Sequence, residues 1–377
     1  MLKYFLTRLI HLFFIILILK CLTLILPYFL IRCYSQAASI LLCFVIAKFT
    51  FRYTKKFFLS KKVFPKRKAI LITGCARGFG KHIAKHLDSK GFHVFASCLN
   101  PNSSGADDLR NSCSSRLQIL QLDVTKDESV EKAVQYVKAN LGSCELWAVI
   151  NNAGIQKGFL TELTRIQDFE DTMEVNAFGQ VRVTKAFLPL LRRSRGRVIN
   201  MASLGGRLAG PMAAAYTMSK FASVGFSGSL RHELHLWGIR VISIEPEFFE
   251  TVFYRTDMST GKNLSMRVED AFVSADENVR KDYGEEFLRK FKTVIGRAYP
   301  PSPNMHKLLE NIEKAVTLKN PDAVYKAYGN VLNEFILRFC EACPVECQVF
   351  IVNTYFRILG LPKPEKANKI YENYHCH

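Results

Sequence analysis

The stretch "LITGCARGFG", residues 71–80, runs from a short apolar segment into three glycines, Gly74, Gly78 and Gly80. A strand that passes through a glycine-rich turn into a helix presents backbone N–H groups and the positive end of the helix dipole to an anion. The missing Cβ atoms let that backbone approach a phosphate closely. The stretch therefore predicts a phosphate-binding turn at the end of the first strand of a sheet.

Short apolar runs alternate with amphipathic stretches from Lys68 onward. The runs are rich in Val, Ile and Leu, as is typical of strands buried on both faces, and comprise "AILIT" (69–73), "HVFAS" (93–97), "LQILQL" (117–122), "LWAVI" (146–150), "RVINM" (197–201) and "RVISIE" (240–245). The alternation predicts an α/β fold, a doubly wound parallel sheet of Rossmann-like type. Beyond residue 252 the sequence becomes charged and helix-like, with a second helical stretch near 305–318. We expect a helical substrate-binding extension there.

The beginning of the chain has the composition of a membrane anchor. Residues 9–31 form an apolar run long enough to cross a hydrocarbon core of about 30 Å as a helix, although Lys20 and Pro27 interrupt it. A second apolar run, residues 37–47, is short for a span. We expect it to be the return leg of a hairpin or a re-entrant segment, so that the anchor is one span or a hairpin.

The charge pattern orients this anchor. No Asp or Glu precedes Asp88, and nine Lys and Arg lie between Lys48 and Lys68. By the positive-inside rule this basic cluster and the domain after it lie in the cytosol. Residues 1–68 account for 13 of the net +19 charges, so the remainder is only mildly basic and no nucleic-acid partner is expected. A cleaved signal peptide is the alternative, but no small-residue cleavage pattern follows residue 19.

The 11 cysteines need no disulfides, because several lie in apolar runs where a thiol behaves as a small buried hydrophobe. Free thiols also agree with a reducing cytosolic face. A metal-like spacing occurs at Cys340, Cys343 and Cys347 and again at His375, Cys376 and His377. No second well-spaced ligand pair accompanies either group, so we predict no metal site.

The chain divides into three parts by composition. Residues 1–66 form the anchor with a basic linker, residues 67–330 the catalytic domain, and residues 331–377 an apolar tail. Charged residues interrupt the tail between Val331 and Leu361. We therefore expect it to be partly buried or to lie at an interface, not to span a membrane.

Further polar residues follow the predicted strands at their carboxyl ends, where ligands of open α/β sheets bind. Asp123 ends the third strand, where its carboxylate could accept a hydrogen bond from an adenine amino group. "NNAG", residues 151–154, ends the fourth strand. Tyr216 and Lys220 in "YTMSK" are four residues apart and so share one face of a helix.

These residues suit proton transfer. A free phenol has a pKa of about 10, and an ammonium group one helical turn away favours the phenolate, so Tyr216 beside Lys220 is a candidate proton shuttle. Ser203 follows the strand "RVINM" and could hydrogen-bond a reacting oxygen, while Asn176 could connect the proton path. Each residue taken alone also has a non-catalytic interpretation: a tyrosine at the surface, a solvated lysine, a serine in a turn and an asparagine that caps a helix.

Together these motifs resemble the short-chain dehydrogenase/reductase family over roughly residues 68–251. T-G-x-x-x-G-x-G, N-N-A-G, the Asn, the Ser and Y-x-x-x-K all occur in the family's order. The resemblance implies that Tyr216 is the general acid/base, that Lys220 lowers its pKa and holds the nicotinamide ribose, that Ser203 positions the substrate oxygen and that Asn176 supports a water relay. It also implies NAD(P)(H) bound by Thr73, Gly74, Arg77, Gly78, Phe79, Gly80, Asp123, Asn151, Ala153, Gly154, Tyr216, Lys220 and Thr251, and hydride transfer between the nicotinamide and an alcohol or ketone carbon.

Within the family the sequence is similar, to about residue 330, to the branch of retinol, 17-beta and type 2 11-beta hydroxysteroid, and D-beta-hydroxybutyrate dehydrogenases. This branch implies a lipophilic alcohol as substrate, a steroid or retinoid, and an enzyme in the endoplasmic reticulum membrane with its catalytic domain in the cytosol. A homodimer is common among relatives. The alternatives are a dehydrogenase of short hydroxy acids and a catalytically silent membrane scaffold.

Two departures from the branch bear on function. Arg77 stands where NADP-preferring relatives place a basic residue against the 2'-phosphate, whereas most branch members prefer NAD. Ser97-Cys98-Leu99, at the end of the second strand, carries neither an acidic residue that selects NAD nor a second arginine that selects NADP. Both nucleotides therefore remain alternatives, and so does an Arg77 side chain that points to solvent instead of the 2'-phosphate. Glu247 replaces the usual Gly and puts a charge near the expected nicotinamide site.

Overall fold

The computed structural model of the chain describes residues 13–21, 23, 28–58, 60–247, 249, 256–257, 262–298 and 305–367. Seven strands form one sheet in the order β3-β2-β1-β4-β5-β6-β7. They are β1 (Lys68–Ile72), β2 (His93–Cys98), β3 (Leu117–Gln121), β4 (Glu145–Asn151), β5 (Arg197–Met201), β6 (Arg240–Pro246) and β7 (Val324–Ala327). Every neighbouring pair in this sheet is parallel, which confirms the predicted doubly wound α/β fold.

Helices connect the strands and extend the chain beyond them. They are α1 (Tyr28–Phe58), α2 (Gly78–Ser89), α3 (Ser104–Ser112), α4 (Asp127–Asn140), α5 (Ile166–Met173), α6 (Gly179–Ser194), α7 (Ala214–His235), α8 (Leu264–Val273), α9 (Glu277–Tyr283), α10 (Glu285–Ala298), α11 (His306–Thr317), α12 (Val331–Ala342) and α13 (Val345–Ile358). Two-residue strands, Thr256–Asp257 and Lys262–Asn263, pair antiparallel outside the main sheet. The predicted helix near 305–318 corresponds to α11.

The seventh strand was not predicted from sequence. β7 is four residues long, occupies the edge of the sheet beside β6 and alternates half-buried with buried positions. Such a short edge strand carries too weak an apolar signal to stand out among charged helices. Its pairing of Pro246 with Ala327 brings the beginning of α12 next to the end of β6.

Two apolar layers enclose the sheet. On one face, α2, α3 and α11 cover side chains such as Ile70, Ile72 and Ile242. On the other face, α4, α6 and α7 cover the alternate side chains, such as Leu71 and Val241. Strand order reverses between β1 and β4, and a crevice opens at the carboxyl ends of parallel strands at such a point. The fold therefore places the glycine turn at the predicted ligand edge.

A third apolar cluster lies outside the sheet. Phe272 of α8 and Phe287 and Phe291 of α10 pack with Phe159 and Met212, which belong to the loops after β4 and β5. The helical extension thus packs on loops that follow the carboxyl ends of β4 and β5.

The apolar beginning of the chain differs from the sequence expectation. α1 continues through the run at 37–47, and its segment Arg32–Phe51, 20 residues with mean hydropathy 1.4, is long and apolar enough to cross a membrane. The helix extends beyond the run at 37–47 on both sides, through Arg32 and Lys48, so the run belongs to a longer helical segment than the short return leg expected from sequence. Of the run predicted as the span, 9–31, the structure describes 13–21, 23 and 28–31 as helical.

The linker after α1 is fixed to the catalytic domain. The Val63 amide donates to the Thr317 carbonyl oxygen over 2.6 Å, and the Lys319 amide donates to that of Lys61 over 2.8 Å. The Lys62 ammonium lies 3.1 Å from the Glu313 carboxylate. α1 is therefore joined to the domain at the carboxyl end of α11.

The apolar tail forms two helices, α12 and α13. In α12 the apolar side chains point outward, and those exposed are Val331, Leu332, Phe335, Ile336 and Phe339. Its Cys340 is buried, and its Glu341 pairs with Lys326 of β7. Within the part of the chain that the structure describes, the polar side of this helix thus meets the domain and its apolar side is exposed.

Candidate active site

The glycine turn after β1 has the tight geometry that a phosphate site needs. Gly74 adopts φ +73°, a left-handed conformation that favours glycine. A Cβ built on Gly80 would lie 2.2 Å from the Gly74 carbonyl oxygen and 2.5 Å from Asn152 Nδ2. α2 begins at Gly78, so its unpaired N–H groups and positive dipole end face the turn. The residues present fit a dinucleotide pyrophosphate.

Thr73 and Asn152 fasten this turn to the end of β4. Thr73 Oγ1 accepts hydrogen bonds of 2.9 Å from the backbone amides of both Asn152 and Ala153. Asn152 Nδ2 donates to the carbonyl oxygens of Thr73 and Gly74 at 2.8 and 3.1 Å. Asn152 was not among the residues predicted from sequence, and its signal was its place inside "NNAG".

The side chains of Asn151 and Asp123 make hydrogen bonds within the protein. The Asn151 side chain donates to Thr184 Oγ1 and to Asn200 Oδ1, so it braces the sheet below the strand ends. Asp123 lies two residues beyond the end of β3, not at it, because the strand ends at Gln121. Its Oδ1 accepts from the amide and hydroxyl of Thr125 and thereby shapes the loop.

Arg77 and Phe79 flank the phosphate turn. Arg77 is the extended residue that precedes the first turn of α2. The Phe79 ring packs edge to face on Phe249, with ring centroids 6.1 Å apart. The Cys75 amide donates to the Ser97 carbonyl oxygen over 2.7 Å, so the turn also contacts the end of β2.

Ser203, Tyr216 and Lys220 lie together beyond β5. Ser203 Oγ accepts a hydrogen bond of 3.1 Å from the Gly205 amide and donates a long one of 3.4 Å to the Pro246 carbonyl oxygen. Lys220 Nζ donates over 2.8 Å to the Met201 carbonyl oxygen and lies 5.5 Å from the centroid of the Tyr216 ring. Ser203 and Lys220 are almost fully buried.

Asn176 completes the cluster from a π-helical turn, Glu174–Phe178, between α5 and α6. Its Oδ1 accepts from the Ile155 amide at 2.7 Å, and its Nδ2 donates to the Ile155 carbonyl oxygen at 2.8 Å. A Cβ built on Gly154 would lie 3.2 Å from Asn176 Oδ1 and 3.8 Å from Lys220 Nζ. Residues far apart in sequence therefore converge, and π-turns often mark functional sites.

Burial shapes the protonation of this cluster. It raises the pKa of Tyr216, while an interaction with the Ser203 side chain works in the opposite direction. Burial lowers the pKa of Lys220 to about 8. In the protein alone, Lys220 donates to a backbone carbonyl, and the pKa of Tyr216 is raised by burial, opposite to the lowering predicted from sequence. Among the residues that the structure describes, no group of three or more His, Cys, Asp or Glu could hold a metal ion.

Comparison with known proteins agrees with this geometry. Residues 68–261 match the family model described as short chain dehydrogenase. The chain belongs to the short-chain dehydrogenase family. It is accordingly an NAD(P)-dependent oxidoreductase with the Rossmann-like fold of that family, as predicted. The match begins at the first residue of β1 and includes the glycine turn, "NNAG" and the Tyr216–Lys220 helix.

Three relatives show how far the likeness extends. The rat (Rattus norvegicus) protein "Estradiol 17-beta-dehydrogenase 2" is 36% identical over 299 residues, 79% of this chain and 77% of the relative. The mouse (Mus musculus) mitochondrial D-beta-hydroxybutyrate dehydrogenase is 40% identical over 280 residues, 72% of this chain and 80% of the relative. A solved short-chain dehydrogenase from Streptomyces avermitilis is 25% identical, with TM-score 0.59 over 78% of this chain and 98% of that structure.

Two positions that the family pattern assigns to the nicotinamide site, Glu247 and Thr251, need separate description in this short-chain dehydrogenase. The Glu247 carboxylate accepts from the Gly329 amide over 2.8 Å and from Asn333 Nδ2. It is therefore directed to the beginning of α12, not left as a free charge beside the nicotinamide site, because the unpredicted β7 brings α12 there. Thr251, the expected carboxamide contact, lies outside the described residues.

An ion pair between the buried Glu245 and the partly exposed Arg207 supports the serine loop and was not predicted. Glu245, at the end of β6, is fully buried, and its carboxylate accepts from Arg207 Nε and Nη2 and from Ser243 Oγ. Arg207 immediately follows the turn Leu204–Gly206 that begins at Ser203. The pair therefore joins the serine loop to β6. Sequence alone does not show which of many charges will meet across forty residues.

Proposed function

We propose that this short-chain dehydrogenase is membrane-bound and interconverts a lipophilic alcohol, a steroid or a retinoid, with its carbonyl by hydride transfer. The observation that carries the proposal is the convergence of Ser203, Tyr216, Lys220 and Asn176 beside the glycine turn. A catalytically silent scaffold has no need for a buried lysine within reach of a tyrosine and a serine, since burying an ammonium group opposes folding. The similarity to an estradiol dehydrogenase supports the substrate class.

The chain's own residues divide into those that hold the nucleotide and those that move the proton. Gly74, Gly78 and Gly80, with the first turn of α2, would hold the pyrophosphate, and the backbone at Ala153 and Gly154 would line the path to the nicotinamide. The bound NAD(P) supplies or accepts the hydride. These roles of the site residues are part of the proposal.

Tyr216 would give or take the proton at the substrate oxygen, and Ser203 would hold that oxygen. Ser203 is suited to this because the Gly205 amide orients its Oγ, and its single hydroxyl proton, which makes only a long contact with the Pro246 carbonyl, can turn to the substrate oxygen. Lys220, with its pKa lowered to about 8, can release or take up a proton near neutral pH. Asn176, fixed by both polar groups of Ile155, would position a water beside Lys220.

The anchor and the tail support membrane attachment. The exposed helix segment Arg32–Phe51 can cross a hydrocarbon core, and its basic flank would keep the domain on the cytosolic face of the endoplasmic reticulum. The uncovered apolar side of α12 would lie against the same lipid surface. We also propose that the chain divides into anchor, catalytic domain and tail after residues 66 and 330. The enzyme is proposed to form a homodimer.

A second candidate is a dehydrogenase of short hydroxy acids. The 40% identity to the mouse D-beta-hydroxybutyrate dehydrogenase favours it. A carboxylate substrate needs a cationic partner in the pocket. Arg207, near the serine loop, already makes a bidentate pair with Glu245. The lipophilic alcohol therefore remains our first choice.

The test measures NAD(P) reduction by membranes that contain the full-length protein, with all-trans-retinol, estradiol and 3-hydroxybutyrate as substrates. Tyr216→Phe is assayed beside Tyr136→Phe, a control whose hydroxyl meets only Gln118 in the described contacts. Turnover of estradiol or retinol that the Tyr216 change abolishes and the control keeps is the expected result. Turnover of hydroxybutyrate alone would establish the second candidate, and cofactor binding without any turnover would favour the scaffold.

A further inference from the structure

Glu247 joins three elements through one short segment. Its backbone amide donates to the Ala327 carbonyl oxygen over 2.9 Å, which continues the pairing of β6 with β7. Its carboxylate reaches beyond β7 to the Gly329 amide and to Asn333 Nδ2 of α12. A side chain at the end of a central strand is therefore engaged by the loop and the helix that follow the edge strand.

The same segment contacts the serine of the active site. The Pro246 carbonyl and the Glu247 amide belong to a single planar peptide unit. The carbonyl oxygen of that unit accepts from Ser203 Oγ, and the amide donates to Ala327. Because the unit is rigid, whatever holds Glu247 in place also sets the position of the acceptor for Ser203.

The beginning of α12 is a fitting partner for a carboxylate. Asn330 caps this helix, and its Oδ1 accepts from the Asn333 amide over 2.7 Å. Glu247 adds a negative charge near the positive end of the helix dipole, where such a charge is stabilising. The contact is charge-assisted on both of its donors and so is stronger than a neutral pair.

We propose that Glu247 is a positioning residue, which clamps the Pro246–Glu247 peptide to α12 and thereby fixes the carbonyl that holds Ser203 in place before its hydroxyl turns to the substrate oxygen. The inference rests on the proposed function of Ser203. A carboxylate that merely capped α12 would affect stability and leave the chemical step unchanged. The clamp instead affects kcat more than the KM for the alcohol, because it acts on the orientation of a catalytic group.

The test is an exchange of donor and acceptor in the full-length protein. Glu247→Gln leaves one acceptor oxygen to face two donors, and Asn333→Asp alone sets two carboxylates against each other. We expect each single change to lower kcat by about tenfold, with little change in KM. In the double variant the glutamine amide donates to Asp at 333 while its oxygen accepts from Gly329, so kcat returns close to the wild-type value.

Glu334→Gln is the matched control. It also replaces one carboxylate near the beginning of α12 by an amide, but Glu334 pairs with Arg338 and not with the Pro246–Glu247 segment. It should leave kcat unchanged. The proposal is overturned if Glu247→Gln also leaves kcat unchanged, or if the double variant is as slow as the product of the two single changes.

Hydrogen exchange separates failure of this inference from failure of the proposed function. An inactive wild-type protein would contradict the proposed function, yet the clamp still predicts faster amide exchange at residues 203–207 and 243–247 in Glu247→Gln and recovery in the double variant. Unchanged exchange in these peptides would overturn the clamp whether or not any substrate reacts.

Discussion

Lys220 combines deep burial with an ionisable group, which opposes stability. It is almost fully buried, and its ammonium group meets one carbonyl oxygen while burial lowers its pKa to about 8. The unfavourable free energy of burying this charge is offset by the favourable packing of the rest of the domain. Destabilising buried polar groups are typical of active sites, which agrees with the role proposed for Lys220.

We predict that Lys220→Met abolishes turnover and stabilises the protein by about 2 kcal/mol at pH 7, because it removes a buried charge at the loss of one hydrogen bond. The folded-state pKa of Lys220 is below its unfolded value of 10.5, so wild-type stability rises with pH from about 8 to 10.5 as the unfolded chain binds more protons. The advantage of the variant should therefore shrink over that range.

Denaturant unfolding of both proteins at pH 7 and pH 10 measures this effect. Lys185→Met, at an exposed position, is the control and should show no such pH-dependent difference. A Lys220→Met protein that is less stable than wild type at pH 7 would contradict the prediction.

Arg77 offers a test of nucleotide choice at the residue scale. We propose that its guanidinium at the beginning of α2 favours NADP, because a planar fork can pair with a 2'-phosphate. Arg77→Ala should weaken NADP binding by about tenfold and leave NAD binding nearly unchanged, as one lost charge-assisted pair implies. Titration of the dinucleotides against tryptophan fluorescence measures both constants, and equal losses for the two nucleotides would reject this role.

Elements carry the geometry that single residues cannot. The six predicted strands were identified because each is a continuous apolar run, and the glycine turn because its position after β1 is distinctive. β7 and the π-turn that holds Asn176 were not predicted, since neither has a local signal stronger than the helices around it. The contact between Glu247 and Asn333 could not be predicted from sequence either, because the two residues are 86 positions apart.

The phosphate turn predicts a sharp contrast between two helical glycines. Gly80→Ala would place a Cβ 2.2 Å from the Gly74 carbonyl oxygen, so we expect a cofactor affinity at least about tenfold lower and reduced stability. Gly225→Ala in α7 meets nothing within 4 Å and should stabilise the protein by about 0.5–1 kcal/mol. Cofactor titration and denaturant unfolding of both variants check this, and similar behaviour of the two would contradict it.

At the scale of the whole molecule, two features support the proposed membrane attachment. α1 exposes an apolar length sufficient for a span, and α12 turns its apolar side away from the domain. The sequence predicted an anchor and an interface-lying tail from composition. It did not predict a span-length segment at Arg32–Phe51, because charge and proline obscure where one apolar run ends and the next begins.

We predict that the full-length protein stays in the membrane pellet after alkaline carbonate extraction, because a 20-residue apolar helix inserts stably into the bilayer. Protease added to intact microsomes should digest the catalytic domain, which the positive-inside rule places on the outer, cytosolic face. Microsomes opened with detergent are the control for complete digestion. Release of the protein by carbonate, or protection of the domain in intact microsomes, would refute this topology.

The most direct measurement follows a deuterium atom from substrate to cofactor. Estradiol deuterated at its carbinol carbon is incubated with NAD or NADP and membranes that contain either the wild-type protein or Tyr216→Phe, and the nicotinamide is analysed by mass spectrometry. We expect deuterium on the nicotinamide ring with the wild-type protein and none with the variant, although both bind the nucleotide equally. Oxidation without deuterium transfer, or equal transfer by the variant, would contradict hydride transfer assisted by Tyr216.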